Sequence, residues 1–161
     1  MSPAVYRAPL RSRRDDIAPG DTLRRALRLG LCGFGGRLDP PPLDLEAAVW
    51  SAAAQHDERL ARRIARFADA PHGSFAWTRD ADGGFRLGRL TGPWRYDAAR
   101  EAEAVDLVHV RPCHWRDATV GAAEVPAAVL ATFARGGRNL QRIHGGAVLE
   151  AATEQLWDRL S

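Results

Sequence analysis

Five histidines, His56, His72, His109, His114 and His144, are the first candidates for metal or acid–base chemistry, and they are scattered along the chain. Only His109 and His114 lie close together, flanking Cys113. A His-Cys-His zinc site needs a fourth ligand and a standard spacing, and the chain offers neither. Asp15-Asp16 and Glu101/Glu103 are carboxylate pairs among polar neighbours, without the apolar surroundings that make a carboxyl a useful general acid. A nuclease would be expected to add a lysine to such a pair, yet all 23 basic residues are arginine. Ser51 and Ser74 lack the glycines of a nucleophile elbow. Gly33-Phe34-Gly35-Gly36 is followed by no lysine and opens no helix directly, so it does not read as a phosphate-binding loop. The expectation is a protein that is not an enzyme and carries no metal and no cofactor.

What remains is aromatic and glycine-rich. Trp77, Trp94 and Trp115 fall in the half of the chain richest in strand patterns, with Tyr96 and Phe34 as further rings. Such rings either fill a core or line a slot for a flat ligand, where stacking contributes about 1–3 kcal/mol per base. Gly33, Gly35 and Gly88 lack a Cβ and would let backbone come close to that ligand.

The elements that must position these residues can be read from periodicity. Val5 to Leu10 reads as a first strand, Asp21 as the cap of a helix carrying Leu23, Ala26 and Leu27, and Leu29 to Cys32 as a short buried strand. Pro40-Pro41-Pro42 is a stiff break. From Asp44 to about Ala68, Leu45, Val49, Ala52, Ala53, His56, Leu60, Ile64 and Phe67 keep helical spacing and predict one long helix. Arg59, Arg62, Arg63 and Arg66 occupy another of its faces, either a solvated stripe or a phosphate-facing one.

After Pro71 the period becomes alternating. Strands are expected at Ser74 to Thr78, Phe85 to Leu90 and Val105 to Arg111, with a hairpin turn at Asp82-Gly83-Gly84 and a stop at Pro112. Trp94 to Tyr96 either continues the second strand past Gly92-Pro93 or forms a loop. Pro126 to Phe133 reads as a short helix, Asn139 to Ile143 as a last strand and Ala147 to Leu160 as a closing helix. The fold class expected is α+β, a small curled sheet or open barrel flanked by helices.

Bulk properties agree with one domain over 1–161. Cys32 and Cys113 are isolated in apolar settings, which suits reduced core cysteines in a cytoplasmic protein. No stretch reaches the roughly 18 apolar residues of a membrane span, and no secretory signal is evident. The net charge of +3 permits a nucleic-acid partner without demanding one.

Three segments in order carry a resemblance. Gly73-Ser74-Phe75-Ala76-Trp77-Thr78-Arg79 leads to a glycine turn. Phe85-Arg86-Leu87-Gly88-Arg89-Leu90-Thr91-Gly92-Pro93-Trp94-Arg95-Tyr96 comes next, and Val108-His109-Val110-Arg111-Pro112 last. Together they resemble the EVE branch of the PUA-like superfamily, segments of which also accompany modification-dependent restriction and antiphage nucleases. Leu31-Cys32-Gly33-Phe34-Gly35-Gly36 resembles the strand and glycine loop bordering the pocket of the related YTH domains. The helical insert at about 43–70 departs from the family pattern.

The resemblance implies a small barrel with helices around it, and a non-catalytic module reading a modified base in an aromatic cage. By residue matching it implies Trp77 and Trp94 as cage walls, Phe34 and Gly35 as a third side, and Thr78 or Arg79 at the base edge, with Tyr96 as a further base-binding candidate. Arg37, Arg95, Arg135 and Arg138 are the phosphate candidates, by their loop positions. The implied partners are a nucleic acid, DNA before RNA, and a separate effector such as a nuclease in antiphage defence, with no membrane. A sensor of a free nucleotide or other flat small molecule, or a structural interaction subunit, are the alternatives.

Overall fold

The computed structural model describes residues 3–160. In chain order its elements begin with β1 (Val5–Arg7), α1 (Pro19–Leu29), β2 (Leu31–Phe34), α2 (Leu45–Gln55) and α3 (Glu58–Asp69). They continue with β3 (Phe75–Arg79), β4 (Phe85–Leu90), β5 (Arg95–Tyr96), α4 (Arg100–Ala104), β6 (His109–Trp115), α5 (Ala127–Ala134), β7 (Gln141–Arg142) and α6 (Gly146–Arg159). The fold is α+β. One mixed sheet, curled into an open half-barrel, runs β2-β6-β4-β3-β1-β7, with β5 also on β6. β1 pairs in parallel with β3; the other pairings are antiparallel.

Side-chain alternation along the strands sorts the core into two layers, one on each face of the sheet. On β3, Ala76 joins one layer while Phe75 and Trp77 join the other; on β4, Leu90 joins the first and Phe85 and Leu87 the second. The first layer is covered by α1, α2 and α3 through Leu23, Ala26, Ala48, Ala52, Leu60, Ile64 and Phe67. The second is covered by α5 and α6 through Val129, Leu149, Leu156 and Trp157. A sheet covered on both faces buries every residue of Phe75 to Thr78, so these positions read as a continuous apolar run.

Several boundaries differ from the sequence reading. The long helix is two helices: Asp57 ends the first register and caps α3, its side chain accepting from the Leu60 amide at 2.8 Å. His56 is therefore exposed at the break rather than inward, and donates through Nε2 to the Arg37 carbonyl at 2.7 Å. Helix α1 begins at Pro19, a favoured first-turn residue, with Asp21 inside the turn and paired to Arg24. Helix α4 has no counterpart in the sequence reading.

The third predicted strand starts later and runs through Pro112 to Trp115. Proline is tolerated there because it faces the interruption between β4 and β5. A Cβ on Gly92 would come within 2.8 Å of the Pro112 ring. The Gly92 carbonyl accepts from Arg111 Nε at 2.8 Å instead of from a ladder amide. The Trp94–Tyr96 segment resolves as both alternatives, a loop at Pro93-Trp94 and a short strand at Arg95–Tyr96. The two cysteines are not isolated in space: Cys32 and Cys113 are buried in the same core layer, and burial, with Cys32 beside it, pushes the Cys113 thiol well up.

Arg111 ties the layers together. Its buried guanidinium also donates from Nη1 to the carbonyls of Phe67 and Ala70 at the end of α3, each at 2.8 Å. Arg111→Met keeps much of the volume but leaves three carbonyls without this donor. A loss of roughly 2–3 kcal/mol in urea unfolding is expected, at about 1 kcal/mol or more per stranded group. Arg111→Lys should restore only part of it, since an ammonium lacks the planar fork.

Candidate nucleic-acid interface

The chain leaves β2 through Gly35 and Gly36, and four segments are pinned around that exit. Asp106, in the left-handed region at φ 53°, accepts from Ser12 Oγ at 2.6 Å and from the Gly36 amide at 3.1 Å. A Cβ on Gly35 would lie 2.1 Å from the Asp106 carboxylate, so this position must be glycine for the contact to form. His56 fixes the Arg37 carbonyl from the α2–α3 break. The result is a cavity of about 270 Å³ whose lining includes Phe34, Gly35, Gly36, Asp57, Leu60 and Asp106.

Arginine dominates the remaining lining: Arg11, Arg13 and Arg14 from the segment after β1, Arg37, Arg63 from α3, and Arg138. Three are held by acidic neighbours, Arg14 by Asp16, Arg37 by Glu103 at 2.7 Å and Arg138 by Asp15 at 3.3 Å. Arg63 is different. Its guanidinium lies 5.9 Å from the centroid of Phe34. Burial, and then the like charge of Arg13, disfavour its charged form, with Asp57 opposing them. An anion placed between Arg13 and Arg63 would relieve that repulsion.

Behind Phe34 lies a packed aromatic group. The His109 ring is 5.4 Å from Phe34, 5.4 Å from Tyr96 and 6.2 Å from Trp94, the last nearly parallel at 20°. Its Nε2 donates to the Gly36 carbonyl at 2.9 Å, while Nδ1 and the indole nitrogen of Trp94 are buried without a hydrogen-bond partner. Burial lowers the His109 pKa from 6.5 to about 4, so the ring is neutral at pH 7.

A second, larger groove of about 1090 Å³ adjoins the cavity, sharing Arg63 and Asn139 with it. Its lining takes in the arginine face of α3, Tyr6 and Arg7 of β1, Arg142 of β7, His144 and the acidic Asp69 and Glu150.

The sequence-predicted site residues divide. Phe34, Gly35, Arg37 and Arg138 line the 270 Å³ cavity together. Trp94 and Tyr96 pack behind it against the first core layer, Tyr96 Oη receiving the Leu38 amide at 3.0 Å. Trp77 is corrected to a core residue: it is 0% exposed, in the second layer, on the opposite face of the sheet from Trp94. The two rings cannot wall one cleft. Thr78 is also fully buried, and Arg79 is exposed with its guanidinium 5.6 Å from the Phe85 centroid, away from the cavity. Arg95 pairs with Asp97, and Arg135 bonds Thr132 Oγ1 at 3.2 Å; neither lines either cavity.

Of the glycines expected to admit a ligand, Gly35 lines the cavity, whereas Gly33 and Gly88 serve the protein itself. A Cβ on Gly33 would meet the His109 carbonyl at 1.9 Å, and one on Gly88 would meet Cys113 Sγ and the Trp115 ring at 2.6 Å. Arg11, Arg13 and Arg14 were not singled out by type or spacing; the α3 arginines were visible as a stripe whose partner only the fold supplies. His114 points away from Cys113 and meets the Trp157 ring edge-on at 5.4 Å. Among the described residues no group of three or more His, Cys, Asp or Glu side chains is placed to hold a metal ion, and no helix is long and apolar enough to cross a membrane. No protein-family model matches the chain, and none of the curated proteins does.

Proposed function

We propose that this chain is a non-catalytic nucleic-acid-binding module that takes a nucleobase into the cavity beside Phe34 and Gly35 and holds its phosphates with the surrounding arginines. The observation that carries this reading is the convergence of arginines from four separate parts of the chain on one cavity of about 270 Å³ with an aromatic wall. Phosphate is the anion whose geometry the guanidinium fork matches, and a base is the flat group that a guanidinium or ring face stacks on. The curled half-barrel with helices on both faces suits the PUA-like, EVE-type reading of the sequence, with Arg63 taking the stacking role assigned there to Trp77. In this reading the base is a modified one, borne on DNA before RNA. The chain is then the sensor for a separate effector, such as a nuclease in antiphage defence.

The test is a binding screen of single-stranded oligonucleotides, each carrying one modified base, beside unmodified controls. At least one modification should bind about tenfold more tightly than its control, the discrimination expected from one or two good polar contacts. Arg63→Gln should weaken the preferred oligonucleotide by about tenfold, the value of one charge-assisted contact, with the melting temperature little changed. Equal binding of every oligonucleotide would defeat the base-reading proposal. Tight, nearly salt-independent binding of a free mononucleotide would replace it with a nucleotide sensor.

A further inference from the structure

The larger groove is not needed to hold one base, yet positive charge dominates its lining. Arg59, Arg62 and Arg66 follow at i, i+3 and i+7 and so share one exposed face of α3. Arg142 extends from the edge strand β7. None of these four arginines makes a salt bridge or side-chain hydrogen bond among the described residues. Asp69 and Glu150 are the acidic residues in the lining and leave the groove strongly positive.

Between these arginines lies a ring. Tyr6 sits directly across from Arg142 in the β1–β7 ladder and lines the groove, half-buried against the first core layer. Ala4, Ala70, Pro71 and Leu140 make the lining around it apolar. An aromatic face on an apolar lining, flanked by unpaired guanidinium groups, is the arrangement that tracks a single strand: phosphates on the cations, an unstacked base on the ring. A base still stacked and paired inside a duplex cannot offer its face to a ring recessed between two walls.

We infer that the α3–β7 groove is the track for single-stranded nucleic acid flanking the base held in the smaller cavity, with Tyr6 as a stacking platform and Arg59, Arg62, Arg66 and Arg142 as phosphate contacts. This rests on the nucleic-acid reading above and adds the strandedness of the ligand and its path. Arg63 and Asn139, common to both cavities, mark where the strand passes from track to base site.

The experiment measures affinity for an unmodified twelve-nucleotide oligothymidylate and for the same strand in duplex with oligoadenylate, across a series of salt concentrations. The single strand should bind more tightly than the duplex. The exposed triple variant Arg59→Gln/Arg62→Gln/Arg66→Gln should flatten the log affinity–log salt slope by about 2, at roughly 0.7 per lost phosphate contact. Tyr6→Leu should weaken the single strand by roughly tenfold while Tyr6→Phe retains it. Should Tyr6→Leu fail to fold, the triple variant and the strandedness comparison decide alone. Equal or tighter duplex binding, an unchanged salt slope, or an unaffected Tyr6→Leu that melts like wild type each overturns the assignment. The triple variant should weaken modified and unmodified strands by the same factor. A wild type that shows no modification preference while the triple variant still flattens the salt slope therefore removes the base-reading proposal and leaves the track standing.

Discussion

Trp77→Ala should destabilise the protein by roughly 3–5 kcal/mol, the range for deleting a large aromatic from a packed core. The ring is wholly enclosed in the layer that β3 and β4 form with α5 and α6, where Phe75, Phe85, Leu87 and Trp157 also lie. Burying an indole removes on the order of 200 Å² from water, worth about 5 kcal/mol at 25 cal/mol per Å². Against a typical total of about 5–15 kcal/mol, that loss leaves little or no folded protein at 37 °C. Trp77→Phe should be far milder, within about 2 kcal/mol. It keeps most of the apolar volume and removes an indole N–H that is buried without a partner, an orphan donor costing about 1–3 kcal/mol. Trp94→Ala should fall between the two, because that ring is only half-buried. Urea unfolding of the three variants checks the order. A Trp77→Ala variant as stable as wild type would contradict the core placement, and a Trp77→Ala variant that folds but loses oligonucleotide binding would return the ring to the ligand site.

That contrast shows where sequence reading stops. The β3–β4 hairpin was legible because alternation on both sides of Asp82-Gly83-Gly84 leaves little freedom in register. The face each tryptophan occupies was not. Trp77 lies on an uninterrupted strand, but Trp94 follows the break at Gly92-Pro93, and parity cannot be counted across a break whose geometry is unknown. The same holds at β6, where Pro112 reads as a terminator unless one knows that it faces a gap in its neighbour. The α2–α3 break hides for the opposite reason: apolar spacing continues smoothly from Ala52 to Leu60 and Ile64, and only the capping carboxylate of Asp57 betrays it. As for the cavity, Phe34, Gly35, Arg37 and Arg138 were nameable in advance from the glycine loop and loop arginines. Arg13 and Arg63 reach it through tertiary packing of the segment after Leu10 against α3, which no local pattern encodes.

Stability should fall steeply as the pH drops from 6.5 toward 4, and His109 is the reason. Its folded-state pKa is about 4 against 6.5 when exposed, so the unfolded chain binds a proton in that interval while the folded chain does not. Unfolding is then favoured by acid: the contribution is fully present above 6.5, declines as the pH falls through the interval, and is exhausted below about 4. With 1.36 kcal/mol for each pH unit between the two values, the loss approaches about 3 kcal/mol. The main cause is burial of the ring among Phe34, Trp94 and Tyr96. The Gly36 carbonyl and Asp106 pull the other way, and His56 adds a smaller like-charge penalty. Asp16 and Asp57, whose carboxyls are held low by Arg14 and by the Leu60 amide respectively, act below this interval and do not obscure it. His109→Phe keeps a ring against its neighbours and removes both the titration and the unpartnered Nδ1, at the expense of the bond to Gly36. Urea unfolding at pH 7, 6, 5 and 4.5 should give the wild type a slope approaching one proton in this range and the variant a correspondingly flatter one. Parallel curves would mean that His109 is not held neutral. Because the folded ring stays neutral across this interval while it supports Phe34 and fixes the Gly36 carbonyl at the cavity wall, its titration should not lower the oligonucleotide affinity of the folded wild type before the pH nears 4.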